Sequence, residues 1–473
     1  MKRTKIVATI GPASKDSKVL EAMIRSGMNV ARLNMSHGTQ ADHRKLFAAV
    51  RGAARKLGEP VAILADLQGP KIRVGDLPKE GVQLKNGAIA TFTTGAAGAG
   101  KIPVGYKRLH RDVKKGDRIL LDDGLLEVEV REVRGRDIAT KIITGGLLTS
   151  HKGMNCPTAS LSVSALTPKD KADAKFAVSL GVDFIALSFV RRASDVRALR
   201  KIITAAEKSK KGPPIMIIVK IEKHEALRNF NEILRETDAV MVARGDLAVE
   251  TPAAEVPLHQ KTIIGKCLAA AKPAIVATQM LDSMTRNPRP TRAEVSDVAN
   301  AVIDHTDAVM LSGESATGKF PVEAVRTLAS VAEKTESSVF DDLAVTVSRG
   351  DSNDTEEIVG ETAGLLARTT KATAIVAASL TGETARQISR FRPELPVYVA
   401  ASEERVLRQM NLSWGIRPFL LPLIRPAKRG EIGERALLVL RKIRKIKKGD
   451  RVILISGEPG VPGGTNTVSM VTI

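Results

Sequence analysis

Aromatic side chains make up only 3% of the 473 residues, with one Trp and two Tyr. A protein that grips single-stranded nucleic acid needs rings on which bases stack, so that class starts with little support. Cysteine is as scarce: Cys156 and Cys267 are the only two. Two are too few for a disulfide framework and suit a reducing compartment. No run of about 18 apolar residues occurs, so no membrane-spanning helix is expected. The N-terminal MKRTKIVATIGP has no apolar stretch of signal length, and a cytoplasmic location is the expectation. A GxxxxGK[ST] phosphate loop is absent, as is a GxGxxG fingerprint. The first absence excludes a P-loop nucleotidase and the second weakens a dinucleotide-dependent dehydrogenase.

What remains is an ordinary globular composition, 43% hydrophobic and 26% charged, on a chain long enough for about three domains. The charge balance is unusual: 73 Lys/Arg face 52 Asp/Glu, a formal +21. Residues 405–451 alone hold 14 Lys/Arg against 3 Asp/Glu. Such a stretch either binds anions or is a solvated helix face without a partner, and solvation is the commoner case.

Short runs rich in Val, Ile and Ala recur through the first 320 residues: TKIVATIGP (4–12), MNVARLNMS (28–36), VAILADLQGP (61–70), VDFIALSFV (182–190), IMIIVKIE (215–222), AVMVARGD (239–246), AIVATQM (274–280) and AVMLSGE (308–314). Apolar on both faces, they read as parallel strands covered by helices. Amphipathic stretches such as 17–27 and 193–208 lie between them. Eight strand–helix units in series predict a closed (β/α)8 TIM barrel. The gap from 70 to 182 holds alternating segments, DRILLDDGLLEVEVREV (117–133) and RDIATKIIT (136–144). It reads as a small antiparallel β-barrel lid domain inserted after the third strand, at the barrel end where active sites form. After SRGDSNDTEE (348–357), the runs at 372–379, 395–402, 451–460 and 468–473 predict a C-terminal α/β domain. The expected division is 1–69 with 167–343 for the barrel, 70–166 for the lid and 344–473 for the C-terminal domain.

Polar residues cluster where these strands end. Lys220 and Glu222 are two apart, so on a strand they point the same way. Burying them is costly unless they are paired or used; a simple buried ion pair is the competing reading. Asp246 ends the next run, so its carboxylate can meet that of Glu222. Two carboxylates, waters and a phosphate-bearing ligand make an Mg²⁺ site, whereas Asp246 alone reads equally as a helix cap. Arg32, Asn34 and Ser36 alternate along ARLNMS and are expected to share a face. His37 follows them, Asp66 ends the third run, Arg73 follows GPKI, and Thr278 ends the seventh run. Cations beside a divalent-metal site suggest phosphoryl chemistry, which is mostly positioning and charge neutralisation.

TKIVATIGPAS, NVARLNMSHG, IIVKIEKHEAL, MVARGDLAVE, VATQMLDSM and above all NPRPTRAEVSDVANAVIDHTDAVMLSGESATGKFP (287–321) resemble segments of the pyruvate kinases. The resemblance covers the barrel and the insert, and continues more weakly through RFRPELPVYVA and LSWGIRPFL. It implies transfer of the phosphoryl group of phosphoenolpyruvate to ADP. It also implies a cytoplasmic homotetramer and Mg²⁺, or Mn²⁺ in its place. By that resemblance Glu222 and Asp246 would hold Mg²⁺. Arg32 would grip the phosphoryl group and Lys220 would neutralise it and the enolate. Gly245, Asp246 and Thr278 would line the carboxylate pocket. Asn34, His37, Arg73 and Lys152 would reach the nucleotide. In the family Asn34, Ser36, Asp66 and the residue at 67 surround K⁺.

This chain reads DLQGPKIR where most members read DTKGPEIR: Leu67 replaces Thr and Lys71 replaces Glu. A fixed ammonium repels a second cation beside it, so Lys71 is expected to stand in for K⁺ and activity not to require that ion; the competing reading is that Lys71 faces solvent and K⁺ still binds. Ala248 and His305 also depart from the pattern, outside the expected site. In the C-terminal domain Ser379, Thr381, Gly382 and Thr384 form a small-residue loop opening a helix, where a phosphorylated effector would bind; a capped turn is the alternative. A barrel lyase or aldolase acting on pyruvate enolates would share Glu222 and Asp246 without needing ADP. A basic nucleic-acid binder is favoured only by the net charge.

Overall fold

A computed structural model describes residues 2–96, 98, 100–208, 212–343, 355–422, 431–457, 461 and 464–473. Each of the eight apolar runs forms one barrel strand: β1 (Lys5–Thr9), β2 (Val30–Asn34), β3 (Ala62–Asp66), β4 (Phe184–Leu187), β5 (Met216–Ile221), β6 (Ala239–Ala243), β7 (Ala274–Ala277) and β8 (Ala308–Leu311). All neighbours pair in parallel, and β1 pairs with both β2 and β8, closing the barrel. The two-residue period sorts each strand into two cores. One row, including Val7, Val30, Leu64, Ala186, Ile218, Met241 and Ile275, fills the barrel interior. The alternate row, including Ile6, Leu33, Ile63, Val219 and Val242, packs against the surrounding helices. Helices Ser17–Arg25 and Ala193–Glu207 form as their periodicity predicts.

The lid contains a six-stranded sheet, a separate two-stranded sheet and its own core around Phe92, Ile119 and Val128. It differs from the sequence reading in two ways. The segment 117–133 is a hairpin, Arg118–Leu121 with Leu126–Arg134. It reverses where Asp122, Asp123 and Gly124 all take positive φ. The sheet is also not wholly antiparallel, because Ile89–Thr93 pairs in parallel with Lys101–Pro103. The two ends of the insert are tied together. Thr167 caps helix Pro168–Leu180 in a reciprocal box with Asp170, whose other oxygen accepts from Gly69 N at 3.0 Å. Gly69 has φ +70, and a Cβ there would sit 2.9 Å from Ser188 Cβ and 2.7 Å from the Phe189 ring, so no larger residue fits.

The C-terminal sheet runs β9 (Ala374–Ser379), β10 (Val397–Ala401), β11 (Ile416–Leu420), β12 (Arg451–Gly457) and β13 (Thr465–Thr472) in chain order. In space the order is β11-β10-β9-β12-β13, with only β13 antiparallel. Strand β11 escaped the sequence reading because Pro418 interrupts it, and it is tolerated there because β11 is an edge. This domain docks beneath the barrel. Leu412 joins the barrel-interior cluster, Arg408 Nε pairs with the fully buried Asp183 at 2.8 Å, and Lys5 Nζ donates to Ile416 O at 2.6 Å. Residues 348–354 of the expected linker, 423–430 of the basic stretch, and 458–460 and 462–463 of the GEPGVPGGTNT loop lie outside the described residues. Among the described residues no helix is long and apolar enough to cross a membrane.

Candidate active site

The inward row that fills the barrel turns polar at its upper end. One step beyond the apolar layers, the same period places Thr9 on β1, Arg32 on β2, Asp66 on β3, Ser188 just past β4 and Lys220 on β5. Hydrogen bonds and one ion pair link them around five adjacent strands. Arg32 Nη1 donates to Thr9 Oγ1 at 2.9 Å, and its Nε donates to Asp66 Oδ2 at 2.7 Å. Ser188 Oγ lies 3.5 Å from Asp66 Oδ1, and Lys220 Nζ donates to Ser188 Oγ at 2.9 Å. Lys220 Nζ also lies 2.8 Å from Glu222 Oε1 and 3.6 Å from Asp66 Oδ1. Lys220 and Glu222 thus share a face, as their spacing predicts.

Burial lowers the proton affinity of Lys220, but Asp66 and Glu222 outweigh it and hold the ammonium well above its usual range. Burial likewise opposes ionisation of Asp66, yet Lys220 and Arg32 keep it below the ordinary carboxylate range. Glu222 is different. Burial and the negative charge of Asp246 outweigh the pull of Lys220 and push it up to about 7. Its Oε2 accepts from Phe189 N at 2.6 Å, while its Oε1 has no well-directed hydrogen bond among the described residues. A buried carboxylate whose proton affinity a neighbouring carboxylate raises is a donor set that a hard divalent cation fits. Among the described residues no group of three or more His, Cys, Asp or Glu side chains forms a metal cage.

Asp246 sits in the first turn of helix Arg244–Glu250, directly after β6. Gly245 N donates to Thr278 Oγ1 at 2.8 Å, so these two residues meet as expected. Thr278 and Gln279 have φ of +74 and +55, a strained backbone for side-chain-bearing residues. Arg244, which sequence reasoning passed over, holds them there. Its Nη2 donates to Thr278 O at 2.9 Å, and its guanidinium grips Asp297 through two bonds of 2.7 Å. Replacing Asp297 by Asn weakens that grip without emptying the space. Turnover is expected to fall about 10–100-fold, with a thermal midpoint close to the parent; unchanged turnover in steady-state kinetics would remove the pair from the site.

The remaining expected residues are more scattered. Asn34 ends β2, but Ser36 lies beyond the strand in a turn, its N–H bonded to Asn34 Oδ1 at 3.2 Å. This corrects the reading of a shared strand face for Arg32, Asn34 and Ser36. Leu67 is buried, and its carbonyl accepts from Ser188 Oγ at 2.6 Å. Arg73 and Lys152 come together on the lid edge. Arg73 bridges to Gly153 and bonds His151 O at 3.0 Å, while Lys152 pairs with Asp122 at 2.7 Å. His37 is exposed on the barrel loop after β2. Lys71 is exposed at the lid hinge, its Cε near Gly153, on the wall of a cleft that also reaches Asp246. Ser379 Oγ accepts from Gly382 N at 3.0 Å, and Thr384 Oγ1 lies 2.8 Å from Thr465 Oγ1. The residues that sequence reasoning missed, Thr9, Ser188, Arg244 and Asp297, each lie in or beside a quoted run; the signal for Thr9 and Ser188 was the inward parity.

Residues 1–325 match the family model described as pyruvate kinase, barrel domain, and residues 357–471 match pyruvate kinase, alpha/beta domain. The chain belongs to the pyruvate kinase family. It is 40% identical to the pyruvate kinase of Clostridium acetobutylicum over 99% of both chains. It is 44% identical to pyruvate kinase 2 of Synechocystis over 99% of its own length and 79% of the relative's. With the Geobacillus stearothermophilus pyruvate kinase it shares 42% identity over 99% of this chain and 80% of that one. A closed barrel, an inserted sheet domain and a C-terminal α/β domain are the family's architecture, and membership makes the chain a kinase.

Proposed function

We propose that the chain transfers the phosphoryl group of phosphoenolpyruvate to ADP, giving pyruvate and ATP, as the last step of glycolysis in the cytoplasm. The observation that carries this is the belt from Thr9 to Lys220 leading to the Glu222–Asp246 pair, in a chain of this family. Glu222 and Asp246 would hold Mg²⁺, with Mn²⁺ as a substitute. When bound, the ion would polarise the carboxylate and phosphoryl oxygens of the substrate as a Lewis acid.

Arg32, already anchored on Asp66 and Thr9, presents its charge to the phosphoryl group from a fixed position, at no reorganisation cost during the reaction. Lys220 stays protonated in its buried setting and faces the charge that develops on the enolate oxygen. Gly245 and Thr278 border the substrate carboxylate, and the Thr278 hydroxyl lies toward the face where the enolate carbon takes its proton. Asn34, His37, Arg73 and Lys152 would receive the nucleotide. The unit 70–166 would close on the barrel (1–69 and 167–343) and exclude water. The segment 344–473 would act as a regulatory domain with an anionic effector at Ser379, Thr381, Gly382 and Thr384, in a homotetramer. Formation of ATP from phosphoenolpyruvate that depends on added ADP tests the activity. Pyruvate enolate chemistry that proceeds without ADP would support a lyase instead.

Lys71 brings a positive charge to the hinge where relatives by resemblance carry a Glu, and the oxygens of Asp66 are already taken by Arg32 and Lys220. We infer that turnover does not require K⁺, with Asn34, Ser36, Asp66 and Leu67 left without that ion. In a K⁺-free tetramethylammonium buffer most activity should persist, and Lys71→Glu should create a K⁺ requirement. Loss of most activity in that buffer would refute the reading.

A further inference from the structure

Glu250 is a buried carboxylate to which the roles above give no part. Its side chain is 1% exposed, so its charge needs partners. Two other segments supply them. From the lid, Asn155 Nδ2 donates to Glu250 Oε1 at 2.8 Å. From the chain directly after Glu222, Lys223 Nζ donates to the same oxygen. His224 Nδ1, in that second segment, stands 3.6 Å from Glu250 Oε2, and neither atom has a hydrogen-bond partner among the described residues. Glu250 itself closes helix Arg244–Glu250, four residues after Asp246 and therefore on the same helix face. The segments joined here are those that carry the candidate metal pair. Lys223 follows Glu222, and its Nζ lies 5.9 Å from the centre of the Phe189 ring, within cation–π range. Phe189 N is the group that donates to Glu222 Oε2. Asn155 belongs to Met154–Asn155, an edge strand of the lid sheet. The same helix meets the lid a second time: a Cβ on Gly124, in the lid hairpin, would lie 3.9 Å from Val249 Cγ1. Asn155, Lys223, Asp246 and Glu250 line one cleft. Ser160, which donates to Glu225 Oε1 at 2.7 Å, and Arg191, which donates to the carbonyls of Leu161 and Val163, hold the chain where it leaves the lid, away from helix Arg244–Glu250.

We propose that Glu250 is a positioning residue: one carboxylate fastens the lid, through Asn155, to the two segments that carry Glu222 and Asp246. It touches no reacting atom and acts through these neighbours. This rests on the proposed reading of Glu222 and Asp246 as the divalent-metal pair. The charge of Glu250 matters as much as its reach. A neutral side chain would leave the Lys223 ammonium, 13% exposed, without its countercharge. That ammonium, next in the chain to Glu222, would then repel a divalent ion seated there. Asn155 is the neutral arm of the same fastening, so removing it frees the lid without changing the charge at the metal pair.

The test combines Asn155→Ala, Glu250→Met and the double variant of the full chain, each checked by thermal unfolding. Met fills the space of Glu250 and accepts no hydrogen bond from Asn155. Amide hydrogen exchange in the lid strands Arg118–Leu121 and Met154–Asn155, read without ligands, should speed up about tenfold in either single variant, and no further in the double one. Mn²⁺ affinity, read by electron paramagnetic resonance without substrates, should fall about tenfold in Glu250→Met and stay within about twofold of the parent in Asn155→Ala. In Asn155→Ala, kcat should fall about tenfold while the KM for phosphoenolpyruvate stays within about threefold. Parent-like exchange in both single variants, fully additive exchange in the double one, or parent-like Mn²⁺ affinity in Glu250→Met would each overturn the proposal. So would a lowered thermal midpoint in Asn155→Ala with kcat unchanged, which would make the contact structural only. A parent protein that takes up no Mn²⁺ would instead overturn the metal reading on which the proposal rests.

Discussion

Replacing Lys220 by Met should lower kcat about a thousandfold while the KM for phosphoenolpyruvate stays within about threefold. Met keeps the length of the side chain and removes an ammonium that lies within 3.6 Å of both Asp66 and Glu222. A group that acts on charge appearing only in the transition state costs turnover, not ground-state binding. The substitution has a structural side as well. Breaking a buried ion pair typically costs about 3–5 kcal/mol, and Glu222 loses its cation here. Asp66 keeps Arg32, through Nε at 2.7 Å and Nη2 at 2.6 Å, so the belt should survive. Thermal unfolding should therefore show a folded, less stable protein that still binds Mn²⁺, with nothing left opposing the ion at Glu222. Near-normal turnover in the folded variant would take Lys220 out of its proposed role. A raised KM with kcat kept would make it a binding residue only.

Glu222→Gln and Asp246→Asn should each weaken Mn²⁺ binding about 10–100-fold, the worth of one charge-assisted contact. Each should also remove most turnover at ordinary metal concentrations. Chelation of the parent protein should abolish activity, and Mg²⁺ or Mn²⁺ should restore it. The charge of Asp246 raises the proton affinity of Glu222, so the two carboxylates are coupled, and the losses in the double variant should not simply add. Fully additive losses, or one variant binding Mn²⁺ like the parent, would mean that they do not share an ion.

The barrel was legible because its eight strands are buried on both faces, which leaves continuous Val- and Ile-rich runs. Their inward parity carried Lys220 and Glu222 to the same place. The same parity, followed on 182–190, also leads to Ser188; it was overlooked because a lone Ser after a strand resembles any turn residue. Arg244 was illegible for another reason. Its carboxylate partner, Asp297, lies in helix Arg292–Ile303, and its carbonyl partner is Thr278; nothing local marks that meeting. Alternation misled at 117–133, where the period runs on through a turn made by three consecutive positive-φ residues. Leu412, an ordinary apolar residue in the C-terminal domain, plugs the barrel interior, a contact that only the domain packing creates.

The central claim is that Glu222 and Asp246 share one divalent ion beside the Lys220 ammonium. Anomalous diffraction from crystals grown with Mn²⁺ and phosphoenolpyruvate addresses it directly. The account predicts a single Mn²⁺ peak about 2.0–2.2 Å from one oxygen of each carboxylate, next to Lys220 Nζ. A peak held by only one of them, or an ion seated elsewhere in the cleft, would contradict it.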